Sequence, residues 1–200
     1  MKPHKIVART NQYNDTLDKY DLTTVSILDC ACCYQPLTSL PDLSSFILLT
    51  NLDCSMNQLT WLPELPPNLI YLKCNNNKLW WLPELPQSLN LLNCCNNFLD
   101  CLPKLPKKLR YLDCAYNVLI ELPDIPVCLK SLTCGGNFLH EIELYTIKIN
   151  QCNAKRVDLG LPYIGGYSCF ADLERINEQH LLWQYRIGGE KYNEASRLFN

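Results

Sequence analysis

The sequence lacks the features that would place it in a membrane or a secretory pathway. It contains no apolar run near the roughly 18 residues that a membrane-spanning helix needs, and residues 1–20 include no apolar signal core. Net charge is also nearly absent, because 18 basic residues face 20 acidic ones, for a formal charge of -2. Such a balance predicts neither a nucleic-acid partner nor an acidic lipid surface. We therefore expect an intracellular protein in a reducing compartment, such as the cytoplasm of its own cell or of a host.

Glycine is scarce, at 7 residues, whereas cysteine and proline are abundant, at 13 each. An odd number of thiols cannot all pair within one chain, which favours reduced cysteines over a disulfide framework. The tightest cluster, Cys30, Cys32 and Cys33, lacks the matching second pair of ligands that a tetrahedral zinc site requires. The sequence therefore predicts no metal and no cofactor.

An internal repeat accounts for six of the cysteines and for most of the prolines. From Leu69 onward, Leu72, Cys74, Asn77 and Leu79 follow in a fixed frame, and a Leu-Pro-x-Leu-Pro spacer comes next at 82–86. The frame recurs every 20 residues, and we assign six units of 20–22 residues to positions 27–142. The other copies are Ile27/Cys30/Cys32/Gln35/Leu37, Leu49/Leu52/Cys54/Asn57/Leu59, Leu89/Leu92/Cys94/Asn97/Leu99, Leu109/Leu112/Cys114/Asn117/Leu119 and Leu129/Leu132/Cys134/Asn137/Leu139.

Each position of the repeat has a physical reason. Alternate side chains of a short strand point to opposite faces, so Leu72 and Cys74 are expected in the core while Tyr71 and Lys73 point outward. Stacked units form a parallel sheet on the concave side, and the prolines hold the convex side extended or polyproline-like. The predicted class is α/β: a right-handed solenoid with a concave parallel sheet, a thin convex side and a helical C-terminal cap.

Two sets of side chains are predicted to hold neighbouring units together. The cysteines pack as small apolar groups in an inward file, and the asparagines bond backbone groups where the chain leaves each strand. Replacing Asn97 with alanine is expected to lower stability by about 1–3 kcal/mol. The predicted file comprises Cys32, Cys54, Cys74, Cys94, Cys114 and Cys134, and the predicted ladder comprises Asn57, Asn77, Asn97, Asn117 and Asn137.

Both ends of the chain depart from the repeat. Residues 1–26 are polar and are predicted to form an N-terminal cap over the open edge of the sheet. Residues 143–200 are predicted to form a C-terminal cap with helices, because apolar residues from Leu173 to Ile187 follow one another at spacings of 3 and 4. His180 lies on that stripe and is interpreted as a core residue. Dimerisation through these helices is an alternative to simple capping.

The spacer carries a family likeness. The run from Leu62 to Leu72, with Asn77 and Leu79 after it, resembles the short leucine-rich repeats of secreted bacterial effectors, over about residues 27–142. The resemblance implies a binding scaffold. Ligase effectors of that kind add a catalytic domain with a Cys-x-Asp motif, which no cysteine of this sequence begins, so the resemblance implies no ligase activity. The cysteine file and the composition rich in Asn and Tyr also resemble leucine-rich-repeat proteins of giant amoebal viruses, the mimivirus group.

The outward strand positions form a grid on the concave side, and its centre has the composition of a protein-binding surface. Tyr71, Leu91 and Tyr111 fall in one column, and aromatic side chains ringed by polar groups are typical of binding hot spots. We assign Asp29 to that same column. The grid then holds no side-by-side carboxylates and no histidine, so we expect no enzymatic activity. The candidate partner-binding residues are Tyr71, Leu91, Tyr111, Asp53, Lys73, Asn93 and Asp113.

These patterns predict a non-catalytic scaffold that binds a partner protein, such as a host protein, on the concave face. A structural or virion-associated protein, and a substrate-recognition module for a ubiquitin ligase, are the alternatives. The basic stretch at Lys104, Lys107, Lys108 and Arg110 is interpreted as a solvated surface, since neither a glycine loop nor interleaved aromatic residues accompany it. No nucleic acid and no membrane is expected as a partner.

Overall fold

A computed structural model describes residues 4–7, 21–33, 35–139, 152–153 and 155–160. A single turn of 3-10 helix at Leu22–Thr24 leads into the second of seven strands, and residues 152–153 and 155–158 are helical. The strands form one parallel sheet in sequence order. They are β1 (His4–Val7), β2 (Val25–Asp29), β3 (Asn51–Asp53), β4 (Tyr71–Lys73), β5 (Leu91–Asn93), β6 (Tyr111–Asp113) and β7 (Ser131–Thr133).

The strands are short because each unit contributes only one inward side chain within its strand. In β4, Leu72 is fully buried while Tyr71 and Lys73 are exposed, and the neighbouring strands repeat this alternation in register. Parallel neighbours lie about 4.8 Å apart, so the inward leucines stack directly on one another. The stacked leucines are Leu28, Leu52, Leu72, Leu92, Leu112 and Leu132, none of them more than 2% exposed.

The convex side has neither helix nor strand in the described spacers between β3 and β7. Each spacer is extended, with one turn before the next strand, while leucines such as Leu62 and Leu82 project back into the core. Proline fixes φ and removes a backbone donor, which suits a segment without ladder hydrogen bonds. The prediction of a parallel-sheet solenoid with a thin convex side is confirmed.

The first unit is longer than predicted. Leu28 of β2 pairs with Leu52 of β3, so the repeat spacing here is 24 residues rather than 22. The inward cysteine of this unit is therefore Cys30, which is fully buried, and the assignment of Cys32 to the file is wrong. Cys33 takes the place of the ladder asparagine, and its Sγ lies 3.1 Å from the carbonyl oxygen of Cys30. Gln35, which we expected at that place, is exposed.

At the C-terminal end, the side chain of Arg156 substitutes for a further unit. Within the repeats, the Ser88 hydroxyl lies 2.7 Å from each of two carbonyl oxygens of the preceding turn, those of Pro67 and Leu69. The guanidinium of Arg156 donates to the equivalent carbonyls of Val127 and Leu129. Because Arg156 is 2% exposed, it satisfies these buried acceptors where the repeat stops.

Both predicted caps extend beyond the described residues. β1 adds a parallel strand beside β2, and β2 begins at Val25, inside the range assigned to the N-terminal cap, whereas residues 8–20 lie outside the description. The predicted helical stripe from Leu173 to Ile187, and with it the alternative of dimerisation, also lies outside the described residues.

Candidate concave binding face

The in-register sheet arranges the outward side chains in two straight rows. The first row holds Ile27, Asn51, Tyr71, Leu91, Tyr111 and Ser131. The second row holds Asp29, Asp53, Lys73, Asn93, Asp113 and Thr133. All seven predicted partner-binding residues lie in these two rows.

The centre of the first row is aromatic and open. Tyr71 and Tyr111 are each 42% exposed, and Leu91 lies half-buried on the strand between them. Two strand spacings place the tyrosine backbones about 10 Å apart. The three side chains therefore form a continuous strip, which we call the tyrosine strip, along the middle of the sheet.

Side chains of the second row also stabilise the turns that follow the strands, a role that the sequence did not lead us to expect. The Oδ1 atoms of Asp53, Asn93 and Asp113 accept hydrogen bonds from the backbone N–H two residues later, at 3.2 Å in each case. Asp53 Oδ1 also accepts a 2.6 Å bond from the Ser55 hydroxyl. Such bonds to the local backbone hold the turn that ends a strand. The signal in the sequence is an Asp or Asn as the last strand residue, two positions before a small residue or cysteine.

One ion pair crosses this row. Lys73 Nζ lies 3.7 Å from Asp53 Oδ2, and the two side chains are 53% and 30% exposed. At this exposure water screens the pair, so its contribution to stability is small. Lys73 therefore lies more than half exposed on the concave face despite the pair.

The pKa of Asp113 is raised, chiefly because burial disfavours its charged form. The Ala115 backbone N–H and the Cys95 thiol bond the carboxylate and offset part of that effect. Asp113 is thus a half-buried acceptor beside the exposed Tyr111 ring.

The register corrects one sequence-based expectation. Asp29 stands in the second row, directly beside Asp53, so the concave face does hold two neighbouring carboxylates. Together with Lys5, Tyr71 and Lys73 they line a shallow cavity of about 180 Å³ at the N-terminal end of the sheet. Asp29 was misplaced for the same reason as Cys32, because the first unit was taken as two residues too short.

The asparagine side chains bond across the joint between units. Asn97 Nδ2 donates to the carbonyl oxygens of Cys74 in the preceding unit and Cys94 in its own, at 3.0 and 3.1 Å. Its Oδ1 accepts the backbone N–H of Leu79 at 3.0 Å. The same pattern occurs at Asn57, Asn77, Asn117 and Asn137.

The cysteine file lies just inside the sheet and is chemically quiet. Burial raises the pKa of the Cys54, Cys74, Cys94 and Cys114 thiols well above the usual range, and neighbouring thiols raise it further. Cys134 continues the file at 2% exposure. Buried thiols with a raised pKa stay protonated and pack as small apolar groups, so the file contributes to the core.

Metal ligation finds no support in the described part of the chain. No group of three or more His, Cys, Asp or Glu side chains there converges on a point that could hold a metal ion. No helix among the described residues is long and apolar enough to span a membrane.

Stacked short strands, an asparagine at each joint and extended proline spacers define the leucine-rich-repeat solenoid, the fold of this chain. Solenoids of this kind typically serve as interaction scaffolds without catalytic activity. No family model matches the chain, and no curated protein sequence matches it either.

Solved structures with the same fold include two forms of YopM. YopM from Yersinia enterocolitica WA-314 is 40% identical over 57% of this chain, with a TM-score of 0.53. YopM from Yersinia pestis, a leucine-rich effector protein, is 33% identical over 56% of the chain, with a TM-score of 0.50. The matched parts span only 25% and 38% of those proteins.

A third structure is the leucine-rich-repeat domain of a Shigella effector. It is 27% identical over 72% of this chain and 71% of its own length, with a TM-score of 0.51. The resemblance to leucine-rich-repeat effectors is confirmed by these structures, whereas the resemblance to giant-virus proteins stays a prediction.

Proposed function

We propose that this chain is a non-catalytic scaffold that binds a partner protein on its concave face, with the tyrosine strip at the centre of the contact. The observation that carries the proposal is the exposure of Tyr71 and Tyr111, both 42% exposed on strands that pair with a neighbour on either side. Aromatic side chains held on fixed strands lose little conformational freedom on binding, which is why they dominate protein interfaces.

The polar surroundings support a protein partner over a polyanion. Asp53 and Asp113 flank Lys73 and Asn93 along the second row, so the face carries both signs of charge. A nucleic acid or an acidic membrane would meet carboxylates at the strip, whereas a folded protein offers complementary groups at individual positions. The likeness to leucine-rich-repeat effectors of Yersinia and Shigella supports an interaction role in general terms. A host protein is accordingly the kind of partner we propose.

The proposal is tested by quantitative affinity capture with three baits. The first is the wild-type chain, the second carries Tyr71→Ala and Tyr111→Ala, and the third carries Trp61→Ala and Trp81→Ala. The two tryptophans are a matched control, because they are 41% and 52% exposed but lie on the spacers. The partner should be retained by the wild type and the tryptophan variant and lost by the tyrosine variant.

Titration of the purified partner then measures the loss directly. Two exposed aromatic hot-spot residues contribute about 1–2 kcal/mol each, so the tyrosine variant should bind at least about tenfold more weakly. If every captured protein binds all three baits equally, the tyrosine strip is not the contact.

A further inference from the structure

A second surface of the solenoid concentrates positive charge. The convex turns that precede β4 to β7 lie side by side, at residues 66–70, 86–90, 106–110 and 126–130. These four segments contain Lys107, Lys108, Arg110 and Lys130 and not one carboxylate. We call these four residues the basic edge.

The backbone brings the four cations together. Lys107, Lys108 and Arg110 share one turn, and the Lys130 backbone N–H donates to the Arg110 carbonyl at 2.7 Å, which places the two residues on adjacent units. All four side chains are exposed. In the same positions, the two preceding turns hold only uncharged residues such as Gln87, so the charge is confined to one place along the solenoid.

Nothing in the described part of the chain neutralises the basic edge. None of its four side chains makes a hydrogen bond or ion pair with a described residue. Lys104 is not counted in the basic edge, because carboxylates, Glu84 and Asp124, occupy the equivalent positions of the units on either side of it. Four cations that have no counter-charge among the described residues stand out on a chain whose net charge is -2, and like charges kept close together raise the free energy of the unbound protein.

We infer that the basic edge is a second interaction surface, separate from the concave face, and that it binds an acidic segment of a partner protein. The extent of the patch favours a peptide over a longer polyanion. It spans two neighbouring turns, and Glu64, Glu84 and Asp124 lie on the spacers around it. A nucleic acid or an anionic membrane extending past the patch would meet these carboxylates, whereas two or three adjacent acidic residues of a peptide fit within it.

The test measures binding of a fluorescein-labelled peptide containing three consecutive glutamates flanked by glycine and serine, by fluorescence anisotropy at low and at physiological salt. The patch variant carries Lys107→Gln, Lys108→Gln and Arg110→Gln. A control variant with the same change in net charge carries Lys5→Gln, Lys78→Gln and Lys104→Gln, three exposed lysines outside the basic edge. Circular dichroism establishes that both variants keep the wild-type fold.

The patch variant should bind the peptide at least fivefold more weakly than the wild type, while the control variant stays within twofold. Equal losses in the two variants would show that only net charge matters and would overturn the inference. A labelled single-stranded DNA of equal length and vesicles containing phosphatidylserine are assayed in parallel. Tighter binding of either one, with the same dependence on the basic edge, would assign the surface to that ligand and reject the acidic peptide.

Discussion

Replacing Asn97 with alanine removes the side-chain hydrogen bonds that Asn97 makes between two units, and the structure allows the effect to be worked out bond by bond. The Leu79 N–H loses the Asn97 Oδ1 acceptor, and because Leu79 is fully buried, water cannot replace it. The carbonyl of Cys74 keeps its 3.0 Å bond from Asn77, and the carbonyl of Cys94 keeps its 3.0 Å bond from Asn117. One orphaned buried donor costs about 1–3 kcal/mol, and the small void adds to it, so we expect a loss of about 2–3 kcal/mol.

The measurement is equilibrium unfolding in urea, followed by circular dichroism. The matched control is Asn75→Ala, because Asn75 is half-buried and the next units carry Cys95 and Ala115 at the equivalent positions. This control should change the free energy of unfolding by no more than about 0.5 kcal/mol, as expected of a surface substitution. An Asn97→Ala variant no less stable than the Asn75→Ala control would refute the assignment of Asn97 as a joint between units.

Two further substitutions test other parts of the same reasoning. Met56 has a φ of +56°, is 54% exposed and occupies the corner position that Asn76 and Asn96 hold in the next units. Because asparagine tolerates positive φ better than other residues with a side chain, Met56→Asn should raise the free energy of unfolding by about 0.5–1 kcal/mol, whereas Met56→Ala should not. A urea melt in which alanine stabilises as much as asparagine would contradict this. The pKa of Asp113 is raised in the folded state, so its ionised form opposes folding, and Asp113→Asn should be more stable than the wild type at pH 7. That advantage should vanish as the pH falls below the pKa of an unfolded aspartate, near 4. Urea melts in which the variant exceeds the wild type in stability by the same amount at pH 7 and at pH 3.5 would contradict this.

The repeat could be predicted from the sequence because each unit places the same side chains at the same spacing. Leu72 and Leu92 stand 20 residues apart, and the register pairs them directly. The prediction for the first unit was wrong because Cys30, Cys32 and Cys33 are chemically alike and the 24-residue spacing of that unit departs from the period. Only the pairing of Leu28 with Leu52 decides which cysteine faces the core.

The concave face was less accessible to sequence reasoning. The row containing Tyr71, Leu91 and Tyr111 follows from the period alone, but how open each ring is depends on packing across strands. The turn-forming bonds of Asp53 and Asp113 depend on the backbone after each strand. Arg156 caps the carbonyls of Val127 and Leu129, which lie 29 and 27 positions before it in the sequence, and no local pattern indicates such a contact.

The shared carbonyls of the cysteine file bear on how such a chain can change length during evolution. Each internal cysteine carbonyl accepts bonds from two asparagines, one in its own unit and one in the next. Deleting or duplicating a whole 20-residue unit therefore leaves every remaining joint with the same partners. Among the described residues, the two ends of the repeat array differ from the rest: Cys33 stands in for the first asparagine and Arg156 covers the turn at residues 126–130. Duplication or deletion within the gene can thus lengthen or shorten the concave face one row position at a time, while the two ends are kept.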